Sequence, residues 1–266
     1  MNDALRIALT LAAGLVTGML SAAFGVGGAV VSTPAIRALG ASALDAVGTT
    51  LPAILPSAVA GTLRYHREGL VRWAAVRWTG GVGAVSAVFG AVATRHVPGH
   101  GHLLMLITAA LMAFTAVRLV AAPRAAQPMA TEGEPGEPPR AAAARPLHLA
   151  LIGLVSGGLS GLLGVGGGIV MVPAFTGLLR WPIKEAVGTS LACVGVLAVP
   201  GTITHALLGG IDWSFAIPLA LAVVPGARLG AFLAIRATDR GLRLAVAAAL
   251  GAIAVAYAAA EIAALG

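Results

Sequence analysis

Cysteine, charge and aromatic rings are all scarce in this sequence. Cys193 is the single cysteine among 266 residues and sits in an apolar stretch, so neither a disulfide framework nor a cysteine-built metal cluster is available and the residue reads as packing. Charged residues make up 10% and aromatic ones 5% of the chain, too little polar surface to cover a water-soluble globule. The formal charge of +7 invites a nucleic-acid reading, but the arginines stand between apolar runs and form no basic patch with interleaved aromatics, which argues against that partner. No HExxH, GxSxG or paired-carboxylate pattern occurs, so an enzyme is not expected. His96, His100 and His102 cluster without a carboxylate and make no metal site. Nor is any cofactor implied: the glycine clusters lack the third glycine of a dinucleotide fingerprint, and no phosphate-loop lysine follows them.

Apolar side chains and glycine are abundant instead. Hydrophobic residues reach 58%, with 36 glycines and a mean hydropathy of +0.94, a composition suited to a lipid bilayer. Apolar segments fall at roughly 4–22, 28–39, 44–63, 74–94, 103–121, 147–163, 167–179, 186–208, 214–235 and 242–264. The first resembles a signal peptide, with Arg6 ahead of it, but its near copy at 147–162 makes it part of the mature chain. Segments 28–39 and 167–179 are too short for a hydrocarbon core that needs ~20 helical residues.

The chain repeats itself. Gly14, Gly18, Ser21, Gly25, Gly27, Gly28 and Pro34 match Gly153, Gly157, Ser160, Gly164, Gly166, Gly167 and Pro173, all 139 residues apart. Gly48, Thr49, Gly61, Trp73 and Gly90 then match Gly188, Thr189, Gly201, Trp213 and Gly230 at a spacing of 140. The implied organisation is a first transmembrane repeat over 1–121, a second over 147–266, and a Pro-, Gly- and charge-rich linker at 122–146 that reads as disordered. The fold class is all-α: a polytopic membrane protein of two inverted repeats, each a short broken-helix hairpin followed by three transmembrane helices.

Charge decides the orientation. If each hairpin returns to its own side, a half crosses three times, the second half is inverted, and the basic residues outside the spans divide 3 against 13. With parallel repeats they divide 9 against 7. The positive-inside rule selects the inverted arrangement, with both termini outside and the linker cytoplasmic.

Each repeat is interrupted by a glycine turn, "LSAAFGVGGAVVSTP" at 20–34 and "LSGLLGVGGGIVMVP" at 159–173. Irregular backbone at membrane depth persists only where protein or a wet cavity satisfies it. A short helix begins just after each turn, presenting unpaired N–H groups and a positive dipole end, the geometry that binds anions. Gly25, Gly27, Gly28, Gly164, Gly166 and Gly167 are therefore candidate backbone ligands of a small anionic substrate, facing one another as a two-sided cradle, with Ser21 and Ser160 as polar support. Gly14, Gly18, Gly153 and Gly157, at four-residue spacing, read as helix-packing glycines.

A second pair of motifs, "DAVGTTLPA" at 45–53 and "EAVGTSLAC" at 185–193, brings Thr49, Thr50, Thr189 and Ser190 early into the next segment. These hydroxyls either complete an oxyanion's coordination or bond back to their own helix. Asp45 and Glu185 hold equivalent first-turn positions, as carboxylates favoured by the helix dipole or as proton-coupling groups. Arg228 is the one basic residue well inside a span, a snorkelling side chain or a cationic partner for the substrate. His205 near a helix end is a packed histidine or a proton-pathway group. Pro52, Pro56 and Pro200 are expected to kink their helices.

The paired motifs "GMLSAAFGVGGAVVSTP" with "AVGTTL" and "GGLSGLLGVGGGIVMVP" with "AVGTSL" resemble the TauE/SafE family of membrane permeases, also known as the sulfite exporter or toluenesulfonate uptake family. The likeness covers the chain outside the linker. It implies transport of sulfur-containing anions such as sulfite, sulfonates or sulfoacetate, in a direction that depends on the member. The expectation is a multi-pass secondary transporter of the bacterial inner membrane working by alternating access on an ion gradient. The alternative is a non-transporting membrane subunit that anchors or assembles a partner complex through the linker.

Overall fold

The computed structural model describes residues 3–41, 43–93, 102–121, 145–164 and 166–265, and the regular structure in them is helical throughout. Five helices form in each repeat. The first contributes α1 (Asp3–Phe24), α2 (Ala29–Ala38), α3 (Ala43–Arg67), α4 (Trp73–Ala93) and α5 (His102–Ala121). The second contributes α6 (Pro146–Leu163), α7 (Gly168–Gly177), α8 (Ile183–Leu207), α9 (Trp213–Arg236) and α10 (Asp239–Leu265). Every expected apolar segment is a helix, with ends within a few residues of those read from hydropathy. Linker residues 122–144, together with Arg95, His96 and His100, lie outside the described residues.

Seven of the helices, α1, α3, α4, α6, α8, α9 and α10, are long and apolar enough to cross a membrane. At ~1.5 Å per residue the ten-residue α2 and α7 reach only ~15 Å, about half a hydrocarbon core. Their partners in the hairpins, α1 with 22 residues and α6 with 18, are long enough to cross alone, so each hairpin has one full arm and one half arm. Local chemistry sets several ends. Pro146 occupies the first turn of α6, where its missing N–H costs nothing, and Gly164 closes that helix in the left-handed region at φ 68°. The Asp212 carboxylate accepts the Ser214 N–H at 2.9 Å and caps α9.

Helices pair across the repeats in a two-fold pattern. α1 packs along α9 and, equivalently, α6 along α4; α3 packs on α8, and α5 on α10. In both cross-repeat pairs the surfaces are glycine. A Cβ on Gly18 would collide with the Val223 carbonyl, and one on Gly230 with that of Met19; on the other side Gly157 lies against Gly83 and Gly161 against Ala87. Lipid tails are as apolar as a leucine face, so helices in a membrane gain from such close backbone approach what burial alone does not give them.

The register of these contacts gives direction. Gly14 meets Leu219 and Ala222 while Met19 meets Gly230, so α1 and α9 run parallel, as do α6 and α4, where Gly153 meets Thr79 and Gly161 meets Ala87 and Ala91. The start of α8 lies against the loop that follows α3, and the start of α3 against the loop that follows α8. Those two central helices are therefore antiparallel. Between them and the short helices sits a buried apolar core that includes Leu51, Ile54, Leu191, Val194 and Leu197.

Gly18→Ala and Gly157→Ala each force a helix pair apart, and each is expected to lower the thermal stability of the detergent-purified protein by ~1–3 kcal/mol, the usual cost of overpacking. Gly177→Ala is the control, since nothing lies within 4 Å of a Cβ placed there. Equal melting temperatures for all three variants would contradict the packing role.

Candidate functional site

The two glycine turns meet at the centre of the protein. Gly25 and Gly27 have φ of 67° and 86°, and Gly164, Gly166 and Gly167 have 68°, 82° and 71°, left-handed values that glycine alone adopts without strain. The carbonyl of Gly25 lies where a Cβ on Gly168 would have to be, and a Cβ on Gly166 would stand 3.5 Å from the Cα of Gly27. All six candidate glycines are buried. The turns thus do come together, and their closest approach is the Gly25 carbonyl against Gly168.

The flanks of the turns follow the two-fold. Gly25 packs on Val187 at the start of α8, and Gly164 on Val47 at the start of α3. Ser190 donates its hydroxyl to the Gly25 carbonyl at 2.7 Å, tying α8 to the turn of the other repeat. Its counterpart Thr50 donates instead to Val47 of its own helix at 3.0 Å. The α2 end of the first turn is uncapped: Gly28, its N-cap, carries no side chain, and the first turn holds no acidic residue. Gly28 accepts from the N–H groups of Val31 and Ser32, while those of Ala29 and Val30, at the very start of the helix, have no carbonyl one turn back. Ser21 and Ser160 are buried one turn before the breaks.

Thr49 and Thr189 do something the sequence did not suggest. Thr49 Oγ1 accepts the backbone N–H of Asp212 at 2.8 Å, and Thr189 Oγ1 accepts that of Arg72 at 3.0 Å. The neighbouring glycines, Gly48 and Gly188, leave room for the carbonyls of Gly210 and Leu70 in the same two loops. Each "AVGT" motif is therefore a clasp on the loop between the third and fourth helices of the opposite repeat. The threonine oxygens are occupied by those amides; only their hydroxyl hydrogens remain to donate.

Other candidates lie away from the turns. Glu185 pairs with the guanidinium of Arg72, which also stacks over the Trp181 ring at 4.3 Å, so a loop cation of one repeat neutralises the first-turn carboxylate of the other. The side chain of Asp45 is outside the described residues. His205 is buried beside Gly48 and Gly210, in the position that Tyr65 holds against Gly188 in the other half. Arg228 is exposed on the outer face of α9, turned away from Gly226 and Gly230, which face α1. The fold does not bring Arg228 to the turns, because a helix whose glycines must face inward sends the residue between them outward. Among the described residues no group of three metal-ligating side chains occurs.

Sequence reading missed three features of this centre. Thr17 lines the α2 side of the first turn, its methyl group 2.5 Å from where a Cβ on Gly28 would be. Tyr65 donates to the Ala22 carbonyl at 3.0 Å, securing the last turn of α1. Val76–Gly80 of α4 is π-helical, and Thr79 within it bonds the Leu149 carbonyl of α6 at 3.0 Å. The repeat spacing was a signal for Thr17, whose equivalent is Ser156; nothing local marks the other two.

Comparison with known proteins places the chain. The family profile described as "Sulfite exporter TauE/SafE" matches residues 10–257. A "Probable membrane transporter protein YunE" of Bacillus subtilis is 29% identical, covering 82% of this chain and 83% of its own. A "Probable membrane transporter protein" of Xylella fastidiosa is 27% identical over 86% of this chain and 85% of its own, and MJ0441 of Methanocaldococcus jannaschii, also named a probable membrane transporter protein, 22% identical over 93% of each. No solved structure matches.

Thr49→Val and Thr189→Val keep the side-chain shape and remove the clasp acceptor. Each leaves a loop N–H of Asp212 or Arg72 without its partner and is expected to cost ~1–3 kcal/mol, read as a lowered melting temperature of the purified protein. A melting temperature unmoved in both variants would mean that the clasp carries no weight.

Proposed function

From the premise that this chain belongs to the sulfite exporter TauE/SafE family, we propose that it is a secondary transporter of small sulfur oxyanions such as sulfite, sulfonates or sulfoacetate. Membrane transport itself follows from the family and from relatives named as probable membrane transporters. The oxyanion reading is carried by one observation: two buried glycine turns meet in the core, and the first opens a short helix whose N-terminus the protein leaves without a carboxylate or a side-chain cap. A helix N-terminus without its own acceptor attracts an anion. The first turn, with Gly25, Gly27 and Gly28, supplies the backbone and Ser21 stands close by, while Gly164, Gly166 and Gly167 of the second turn pack against it.

The two halves stand inverted in the bilayer of a bacterial inner membrane. Two independent lines support this. The basic residues divide 3 against 13 only in that arrangement. The equivalent central helices α3 and α8 run antiparallel, which a repeat standing the same way up does not allow. Both termini then face outward, and the linker at 122–146 is a cytoplasmic tether. Inverted repeats that rock about a shared centre provide alternating access, and with the turns in contact the present arrangement is a closed one. No nucleotide-binding segment is apparent in the sequence, so the driving force is an ion gradient.

Proteoliposomes holding the wild-type protein are expected to accumulate labelled sulfite or a simple sulfonate ahead of a carboxylate of similar size, with a rate that responds to an imposed pH gradient. Gly27→Val and Gly166→Val, which put a β-branched residue at φ near 80°, are expected to abolish uptake while leaving insertion into the membrane intact. Full activity in both variants, or no uptake of any sulfur oxyanion by the wild type, would overturn the reading. Deleting 125–140 is expected to leave uptake unchanged; a subunit that works by docking would lose its function instead.

A further inference from the structure

We infer that the oxyanion binds beside the first turn, at a small, largely apolar hollow flanked by two buried hydroxyls and selective for a single negative charge. The inference rests on the functional reading above and locates the site within it. Thr17 and Ser21 of α1, Gly27 and Gly28 of the turn, and Leu250 and Ile253 of α10 line a small hollow at the start of α2. Thr17 and Ser21 are 1% and 2% exposed, and neither hydroxyl has a partner in the protein. They share this with Ser57, Thr62, Ser156 and Thr202. A helical serine or threonine can always donate to the carbonyl one turn back, and Thr10, Ser32 and Thr176 do so in this protein. Thr17 and Ser21, one turn apart on the same face of α1, leave that bond unmade and stand beside the uncapped α2 N-terminus with two donors to spare. The pseudo-equivalent of Thr17, Ser156, is likewise fully buried with its hydroxyl unpartnered.

Charge selection follows from what the lining lacks. Among the described residues no ionisable side chain lines the hollow; those on the helices around it, Arg6, Arg37, Asp239, Arg240, Arg243 and Tyr257, stand outside the lining. Amide and hydroxyl donors alone must then replace the anion's water. The cost of removing an ion from water grows with the square of its charge, so hydroxyls and one helix dipole suffice for a monoanion and not for a dianion. The ligand is accordingly a sulfonate or hydrogen sulfite, rather than sulfite dianion or sulfate. The apolar wall from α10 must move aside to admit it.

The test titrates purified full-length protein with methanesulfonate, sulfate and sulfite, reading the thermal shift, and repeats it with Thr17→Val/Ser21→Ala and with Thr17→Ser. Expected for the wild type are binding of methanesulfonate independent of pH, binding of sulfite that fades as pH rises through its second ionisation, and sulfate at least about tenfold weaker. The double variant should weaken methanesulfonate at least about tenfold, the usual worth of lost hydrogen bonds to a charged group, while its unliganded melting temperature holds or rises; Thr17→Ser should bind as the wild type does. Undiminished binding in the double variant overturns this site and leaves the functional reading standing, as does sulfate binding as well as methanesulfonate. Should the double variant not fold, Ser21→Ala alone is measured, and undiminished binding there has the same meaning. Absence of any sulfur-oxyanion binding to the wild type overturns both.

Discussion

Lipid offers a peptide group no hydrogen-bond partner, and each interruption of a helix in this protein is arranged around that fact. Where α1 breaks at its glycines, two of the freed carbonyls are met by side chains of other helices: Ser190 reaches that of Gly25, and Tyr65 that of Ala22 just ahead of it. Where α3 and α8 end, a threonine from the other repeat takes up the loop amide. Lys184 at the start of α8 donates to the Ile235 carbonyl near the end of α9 at 2.8 Å. Three of these bonds cross between the repeats and two stay within one.

Glycine serves two purposes that have different physics. In the cross-repeat pairs α1–α9 and α4–α6 its conformation is ordinary and only the missing Cβ matters, since it lets carbonyls of the facing helix occupy that space. In the turns the positive φ matters as well. The paired helices form long backbone-to-backbone seams, whereas the turns meet over a few atoms.

The two-fold is broken where chemistry is concentrated. Ser190 bonds across to a turn while Thr50 bonds to its own helix. Arg72 pairs with Glu185 and covers Trp181, but its counterpart Asp212 serves as a helix cap. α4 opens through a π-helical stretch, and α9 at the matching place holds Pro218 inside an ordinary helix. Two halves with the same backbone plan therefore differ in the side-chain bonds that hold them.

Much of the architecture was legible in the sequence. Ten apolar segments, the short second segment of each half, and the correspondence of the halves are carried by local composition and by fixed spacing, and hydropathy acts on each stretch independently of the rest. The glycine turns were legible for the same reason. Thr49 and Thr189 were read as substrate ligands or as hydroxyls bonding back to their own helix, and their contacts with the opposite loops were not legible because those amides lie 163 and 117 residues away, a distance over which sequence carries no pairing signal. Arg228 was read by its depth in a span, while its direction depends on which face of α9 glycine turns toward α1. The sequence by itself determined that the chain is helical, membrane-embedded and twofold in plan, since these depend on each segment's own preference for lipid over water. Only the tertiary structure decided that the turns touch, that the threonines clasp the opposite loops, and that two hydroxyls on α1 stay unbonded beside a bare helix end, since each of these is a meeting of groups from separate segments.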